Sequence, residues 1–347
     1  MSKTGVLLVH FGGADCLDAV EPFMCSVMGR MPSDEVLASA KRRYLTIGGG
    51  SPLPILVERM ACALERTLSG LPPAPAPDPD AVGGIGRFTE PGERATEGVT
   101  IPVEIGMLHW RPAIEEGVSR LAARDVTRVV WVSLSPFESA VTTQAFRSAV
   151  GAACAEAGLE VAEGSPYHAS DAFAELLADI DIGAVGMLVP DYTPVVVFTA
   201  HSLPSEELGD GSYVMQLEGL ATHVADLMGL GAPDREGLAT KTGLQAHGGP
   251  GKAAPWVLAY QSQGQRPGTW LGPDLGEVIE AVKTAGLDSV AVCPIGFVMD
   301  HLETLYDLDV EAADRALSSD LEFSRANAAN DDPAMVEVIA EAVRPHL

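Results

Sequence analysis

Short, unbroken runs of β-branched and aliphatic residues recur along this chain, separated by stretches with helical spacing. Gly5-Val6-Leu7-Leu8-Val9 is the first, and Val129-Val130-Trp131-Val132 and Pro194-Val195-Val196-Val197-Phe198 repeat the form. A strand without polar alternation has to be covered on both faces, which is the pattern of a parallel sheet. Strands are predicted at 4–10, 101–107, 129–134, 158–163, 194–200, 256–261 and 289–295. Helices are predicted at 15–28, 33–44 and 53–69, from 113 and from 142, between the later strands, and at 332–345. Ser33 is placed as an N-cap after the Met31-Pro32 break. The alternation implies an α/β fold of two doubly wound parallel-sheet domains, 1–155 and 156–347. The last helix is placed to pack back on the first domain. Proline-rich residues 71–98 and glycine-rich residues 231–254 read as surface insertions. In such sheets ligands bind beyond the carboxyl ends of the strands, so the segment after each strand is where chemistry is sought.

Composition narrows the function classes. The 347 residues carry 22 Lys+Arg against 48 Asp+Glu, a net charge of −26, with 47% hydrophobic residues. That hydrophobic content excludes an acidic disordered chain, and the shortage of cations argues against a nucleic-acid partner. The apolar run before His10 is too short for a signal peptide, and no run is long enough to span a membrane. The five cysteines, Cys16, Cys25, Cys62, Cys154 and Cys293, form no C-x-x-C pair. A disulfide framework or structural zinc is not expected, and the expectation is a cytoplasmic protein with reduced thiols. Gly251-Lys252 lacks the spacing of a phosphate loop, and Gly48-Gly49-Gly50 does not follow a strand, so neither is a nucleotide signature.

Two strand ends carry candidate chemistry. The strand at 194–200 runs into His201, whose imidazole at a cleft edge can accept a proton or bind a metal. The strand at 289–295 runs into Asp300-His301-Leu302-Glu303-Thr304-Leu305-Tyr306-Asp307. If that segment is helical, Glu303, Asp307 and Glu311 share one face. They form either a solvated acidic face or a carboxylate ladder for a divalent cation. Tyr260-Gln261-Ser262-Gln263-Gly264, followed by Trp270, marks a third strand end.

Taken in order, these segments resemble a known family. Ile47–Leu53, Leu134-Ser135-Pro136 with Ser139 and Thr142-Thr143, Phe198–Pro204, Gly209-Asp210 with Tyr213 and Gln216, Tyr260–Gln263 with Trp270-Leu271, Pro294–Asp307, and Arg325 with Asn327 or Asn330 and Pro333 look like the signature segments of the ferrochelatases. The resemblance implies two similar Rossmann-like domains with a porphyrin cleft between them. It implies insertion of Fe²⁺ into protoporphyrin IX or coproporphyrin III in haem synthesis, with release of two protons. It implies His201 and Glu303 as catalytic residues and His201, Glu303, Asp307 and Glu311 as the metal path. The porphyrin is expected against His10, Phe11, Val27, Met28, Ser51, Ser139, Ser262, Trp270 and His301. The resemblance further implies ferrous iron and the porphyrin as substrates, no cofactor beyond the iron, and transient partners in haem synthesis.

The departures from the family pattern are also informative. Phe11 stands where some members carry tyrosine, and a phenyl ring cannot ligate iron, so His10 becomes a candidate replacement ligand. Val27-Met28, Leu45-Thr46 and Leu108-His109 stand where arginines are frequent, and Glu138 where an aromatic is. Arg30, Arg43 and Arg111 are the candidates to meet porphyrin carboxylates instead. No cysteine follows Cys293, so no iron–sulfur cluster is expected. Two rivals stay open: a tetrapyrrole-binding paralogue that does not metallate, and a chelatase for another metal or tetrapyrrole.

Overall fold

A computed structural model of the protein describes residues 3–73, 97–188, 194–231, 254–264 and 266–347. Both expected insertions, 71–98 and 231–254, lie almost wholly outside the described residues. The first half contains β1 (Thr4–His10), α1 (Val20–Met28), α2 (Asp34–Thr46), α3 (Leu53–Leu68), β2 (Val103–Met107), α4 (Ile114–Ala123), β3 (Arg128–Ser133), α5 (Thr143–Ala157) and β4 (Glu160–Glu163). The second contains α6 (Asp171–Val185), β5 (Val195–His201), α7 (Ser212–Leu227), β6 (Trp256–Gln261), α8 (Leu275–Thr284), β7 (Ser289–Cys293), α9 (Leu302–Leu305), α10 (Ala313–Ser318), β8 (Glu322–Arg325) and α11 (Pro333–Val343).

The strands form two parallel four-stranded sheets, ordered β2-β1-β3-β4 and β6-β5-β7-β8. The second repeats the first, with β5 in the place of β1. In each sheet the chain leaves its first strand to one side and later returns on the other, so the carboxyl ends of β1 and β5 are switch points open to a ligand. His10 ends β1 and His201 ends β5.

Side chains alternate between the faces of each strand. Val6 and Leu8 face an inner core shared with α3, α6, α7 and α11, and Leu7 and Val9 face α4 and α5. Val196, Phe198 and Ala200 join the same inner core from the second sheet, while Val195 and Val197 face α8 and α10. Each of the fully buried residues Phe146, Phe173 and Phe198 contributes roughly 1.5–3 kcal/mol of apolar burial. α11 lies against α3 and α6. Its Ala342 carbonyl accepts from the Ser165 N–H at 2.8 Å, and just beyond it the His346 carbonyl accepts from Arg128 at 2.7 Å.

Two expectations need correction. The strand at 160–163 pairs with β3 and completes the first sheet, so the division between the sheets falls after Glu163 rather than at 155/156. Order along the chain carries no pairing information, so periodicity alone does not say which sheet this strand joins. β8 was not predicted at all. It is an edge strand four residues long, with only Ser324 buried, so it lacks the apolar run that marks the central strands.

The glycine turn at 48–50 joins α2 to α3. Gly48 and Gly49 take φ of 101° and 99°, and a Cβ on Gly50 would lie 2.0 Å from the Asp15 carbonyl oxygen. Only glycine suits all three positions.

Candidate active site

His201 ends β5 in register with Gln261 of β6, while the pairing of β5 with β7 stops at Phe198. The Tyr213 hydroxyl donates to its carbonyl at 2.9 Å. Its Nδ1 donates to the Ser202 carbonyl, which leaves Nε2 aimed outward. Nε2 lies 3.4 Å from Oε1 of Glu303, and the two side chains are 32% and 34% exposed, so solvent and a ligand reach both.

Glu303 comes from the other side. After β7 the chain turns through Gly296 and Phe297 to α9, whose N-cap is His301. The Thr304 hydroxyl accepts from the His301 N–H at 3.0 Å, and His301 Nδ1 accepts from the Glu303 N–H at 3.2 Å. Gln261, at the end of β6, donates from Nε2 to the Glu303 carbonyl at 3.0 Å.

The electrostatics make this pair ionic. Burial pulls His201 down, but the charge and hydrogen bond of Glu303 and the Ser202 carbonyl outweigh it and hold the imidazole above its ordinary value. Burial would raise Glu303, yet His201, then His301 and Arg43, bring its carboxyl down to about 2. Two other histidines complete the ring of polar groups. His301 is lowered chiefly by burial, and its ring meets Phe297 edge-on at 5.0 Å. His10 is 6% exposed and is lowered to about 3 by burial and by His301. Its Nδ1 accepts from the Gly12 N–H at 3.3 Å. In the neutral tautomer its Nε2 therefore carries the proton, and as placed His10 offers no lone pair to a metal, contrary to the expectation of a replacement ligand.

The acidic ladder is not formed. After α9 the chain widens into a π-helical turn, Asp307–Ala312, in which Glu311 N–H returns to the Tyr306 carbonyl at 3.0 Å. A π turn shifts the i, i+4 alignment by about one residue, and Glu311 ends exposed. Asp307 is buried and already engaged, since Arg43 of α2 pairs with one oxygen and the Ser262 hydroxyl donates to the other. The Arg43 guanidinium also lies over the Tyr306 ring, 4.8 Å from its centroid. Among the described residues no three His, Cys, Asp or Glu side chains gather to hold a metal. His201 and Glu303 come together; Asp307 and Glu311 do not join them.

The first half supplies an apolar wall. Phe11 packs on His109 with ring centroids 4.5 Å apart, and Ser26 of α1 lies 3.0 Å from His109 Nδ1. Phe23 meets Trp110 edge-on at 6.2 Å, and the α1–α2 cluster also receives Leu302, Leu305 and Tyr306. Val27 is exposed and Met28 partly so, at the end of the helix that carries Ser26. Ser51 and Ser139 are buried, and their hydroxyls serve the local chain. Ser51 accepts from the Leu53 N–H at 3.3 Å, and Ser139 meets Thr142 Oγ1 at 2.6 Å. Trp270 lies over Gly264, and its indole N–H donates to the Arg266 carbonyl at 3.2 Å. Arg111 pairs at the surface with Glu116.

Tyr44 was missed. Burial, and then the charge of Glu303, push its hydroxyl up to about 12 against an opposing hydrogen bond from Ala14. A lone aromatic in a charged helix, Lys41-Arg42-Arg43-Tyr44, was the available signal.

Comparison with known proteins bears on the family and the fold. The ferrochelatase family model matches residues 91–347. A ferrochelatase of Herpetosiphon aurantiacus is 29% identical, covering 99% of this chain and 98% of the relative. A ferrochelatase of Thermus thermophilus is 30% identical over 97% and 98%, and coproporphyrin III ferrochelatase 2 of Bacillus cereus is 27% identical over 98% and 93%. Among solved structures, Bacillus subtilis SirB with Fe³⁺ superposes with a TM-score of 0.52 at 11% identity, covering 99% of this chain and 94% of that one. CbiX, described as the terminal enzyme of sirohaem biosynthesis in denitrifying bacteria, gives 0.50 at 12% identity over 99% of both chains. At those identities the structural likeness bears on the fold alone.

Proposed function

The chain belongs to the ferrochelatase family, and from that premise we propose how its paired strand ends act. The protein is a metal chelatase. It inserts Fe²⁺ into a porphyrin, protoporphyrin IX or coproporphyrin III, and releases two protons, in haem biosynthesis. One observation carries the residue assignment: the 3.4 Å approach of His201 Nε2 to Glu303 Oε1.

That separation suits two ligands on one ion. Metal–nitrogen and metal–oxygen bonds of about 2.1 Å, meeting at a roughly tetrahedral angle, place the donor atoms about 3.4 Å apart. An arriving Fe²⁺ takes the place of the proton the pair shares, because ligation requires neutral imidazole and carboxylate. His201 and Glu303 then bind the substrate ion, replace its water, and accept protons from the pyrrole N–H groups as the ring takes it. Tyr213, Ser202 and Gln261 keep the two side chains aimed while this happens. His10 and His301, both held toward the neutral form, add no positive charge to repel the cation. Phe11, His109, Trp110 and Trp270 offer aromatic faces for the macrocycle, which must be held bent for its lone pairs to turn outward. Asp307, screened by Arg43, is an outer station rather than a first ligand.

No cofactor is assigned beyond the iron itself, and an iron–sulfur cluster in purified protein, visible by its absorption, would contradict this. No helix among the described residues is long and apolar enough to cross a membrane. A cytoplasmic location is proposed, and fractionation of cells checks it.

The deciding experiment incubates purified protein with Zn²⁺, or anaerobically with Fe²⁺, and each porphyrin in turn. Metalloporphyrin should form, and the His201→Ala variant should form none above buffer. Tight binding of both porphyrins without metallation faster than in buffer would point instead to a carrier.

A further inference from the structure

Glu303 lies on a helix of four residues, too short to hold a side chain in place by its own hydrogen bonds. The frame around it converges on Arg325, the last residue of β8, whose side chain is 8% exposed. Nη1 donates to Asp300 Oδ1 at 2.9 Å. Nε and Nη2 donate as a fork to the two oxygens of Asp309, at 2.7 Å each. Asp300 and Asp309 stand on either side of Glu303 in the chain, one before α9 and one in the π turn. Asp300 is further tied to Asn330, which donates to its Oδ2 and accepts its backbone N–H, both at 2.8 Å. The Thr304 hydroxyl donates to its Oδ1 at 2.9 Å.

The sheet that carries Arg325 also carries His201. Arg325 is in register with Val292 of β7, and the next residue, Cys293, is in register with Phe198 of β5. One guanidinium thus joins both ends of the Glu303-bearing turn to the frame that holds its partner. We propose that Arg325 is a positioning residue for iron insertion: by clamping Asp300 and Asp309 it sets the separation of Glu303 from His201. It touches neither substrate. This rests on the proposed function, since it concerns the same pair. Lysine at this position keeps the charge but has no planar fork, so it cannot grip Asp309 with two bonds and reach Asp300 as well.

The test measures Zn²⁺ insertion kinetics and urea unfolding for wild type, Arg325→Lys, Asp309→Asn and Val150→Ala. Val150 is buried on α5 against the first sheet, in a cluster with no residue of the Glu303-bearing turn, and serves as a control for lost stability alone. Arg325→Lys should lower kcat by about 10- to 100-fold, with the porphyrin KM within about twofold, because a misplacement near 1 Å costs rates of that order. Asp309→Asn, at a partly exposed site that tolerates the change, should lower kcat by about three- to tenfold by the same route, and it decides the matter if the lysine variant does not fold. Val150→Ala should unfold at lower urea with kcat unchanged. The assignment is overturned if active wild type is matched within about twofold by Arg325→Lys and Asp309→Asn, or if Val150→Ala loses as much kcat as Asp309→Asn. Inactive wild type overturns the proposed function itself, and this assignment with it.

Discussion

His10 and His201 end the corresponding strands of two sheets built in the same order, yet their imidazoles are in opposite electrostatic states. His10 is enclosed, hydrogen-bonded through Nδ1 to a backbone N–H, and held neutral down to about pH 3 by burial and the neighbouring His301. His201 is about one-third exposed, and Glu303 stands 3.4 Å away and holds its proton on. The strand-end position and the residue type are shared, so neither accounts for the difference. A carboxylate delivered by a distant segment does. A duplicated frame supplies two equivalent positions, and the surroundings of each determine whether its histidine is part of the lining or part of the chemistry.

Substitutions at the two positions give the sharpest contrast. His201→Ala should reduce metallation at least about 10³-fold, since on the proposed function it removes both a metal ligand and a proton acceptor. Comparable activity in this variant and in wild type would end the distinction. Glu303→Gln comes next, with a loss of about 10²- to 10³-fold in kcat. It should also bring the His201 titration below the ordinary histidine value, since burial remains after the opposing charge is gone. NMR of the imidazole protons reads this directly, and an unchanged midpoint would show that Glu303 is not what distinguishes the two histidines.

The same pair predicts a pH window for stability. His201 is raised, so its contribution is full below its unfolded pKa of 6.5 and fades as pH rises through the higher folded value. Glu303 is depressed to about 2, so its contribution is full above its unfolded 4.5 and is lost as pH falls toward 2. Both contribute between pH 4.5 and 6.5. Urea midpoints of wild type should exceed those of Glu303→Gln most in that interval, and a constant difference across all pH would contradict the coupling.

Arg43→Gln tests one of the contacts between the two halves. Leaving Asp307 buried without its cation should cost about 1–2 kcal/mol of stability, less than a fully enclosed pair because the arginine is one-third exposed. Asp307→Asn in the same chain should recover part of that loss. The smallest effect is expected at His10→Asn. It keeps an uncharged polar group at the strand end, and kcat should remain within about tenfold of wild type. A loss as deep as that of His201→Ala would show that His10 is a second reacting group.

Legibility followed the range of each interaction. The apolar runs ending at His10 and His201 are local features, and the strands lie close to where periodicity placed them. His201 and Glu303 were chosen from strand ends and from family resemblance, and the chain brings them together. The carboxylate ladder failed because i, i+4 counting assumes an α-helix throughout, whereas the chain widens at Asp307–Ala312. Arg43 was seen only as a cation available to a porphyrin, because nothing near it in sequence marks Asp307 as its partner. β8 is not marked in the sequence, because a short edge strand has little apolar surface to reveal it, and Arg325 at its end is marked only by the family resemblance, without its partners.

The amino-acid order alone was enough to establish an α/β chain of repeated strand–helix units with chemistry at the strand ends, because side-chain periodicity and burial on both faces are written in neighbouring residues. Folding in three dimensions settled which strands share a sheet, which carboxylates are neutralised by arginine, and which of two equivalent histidines is held toward the charged form. Those outcomes depend on charges brought within a few ångströms from positions far apart in the chain, in a medium where burial magnifies each of them.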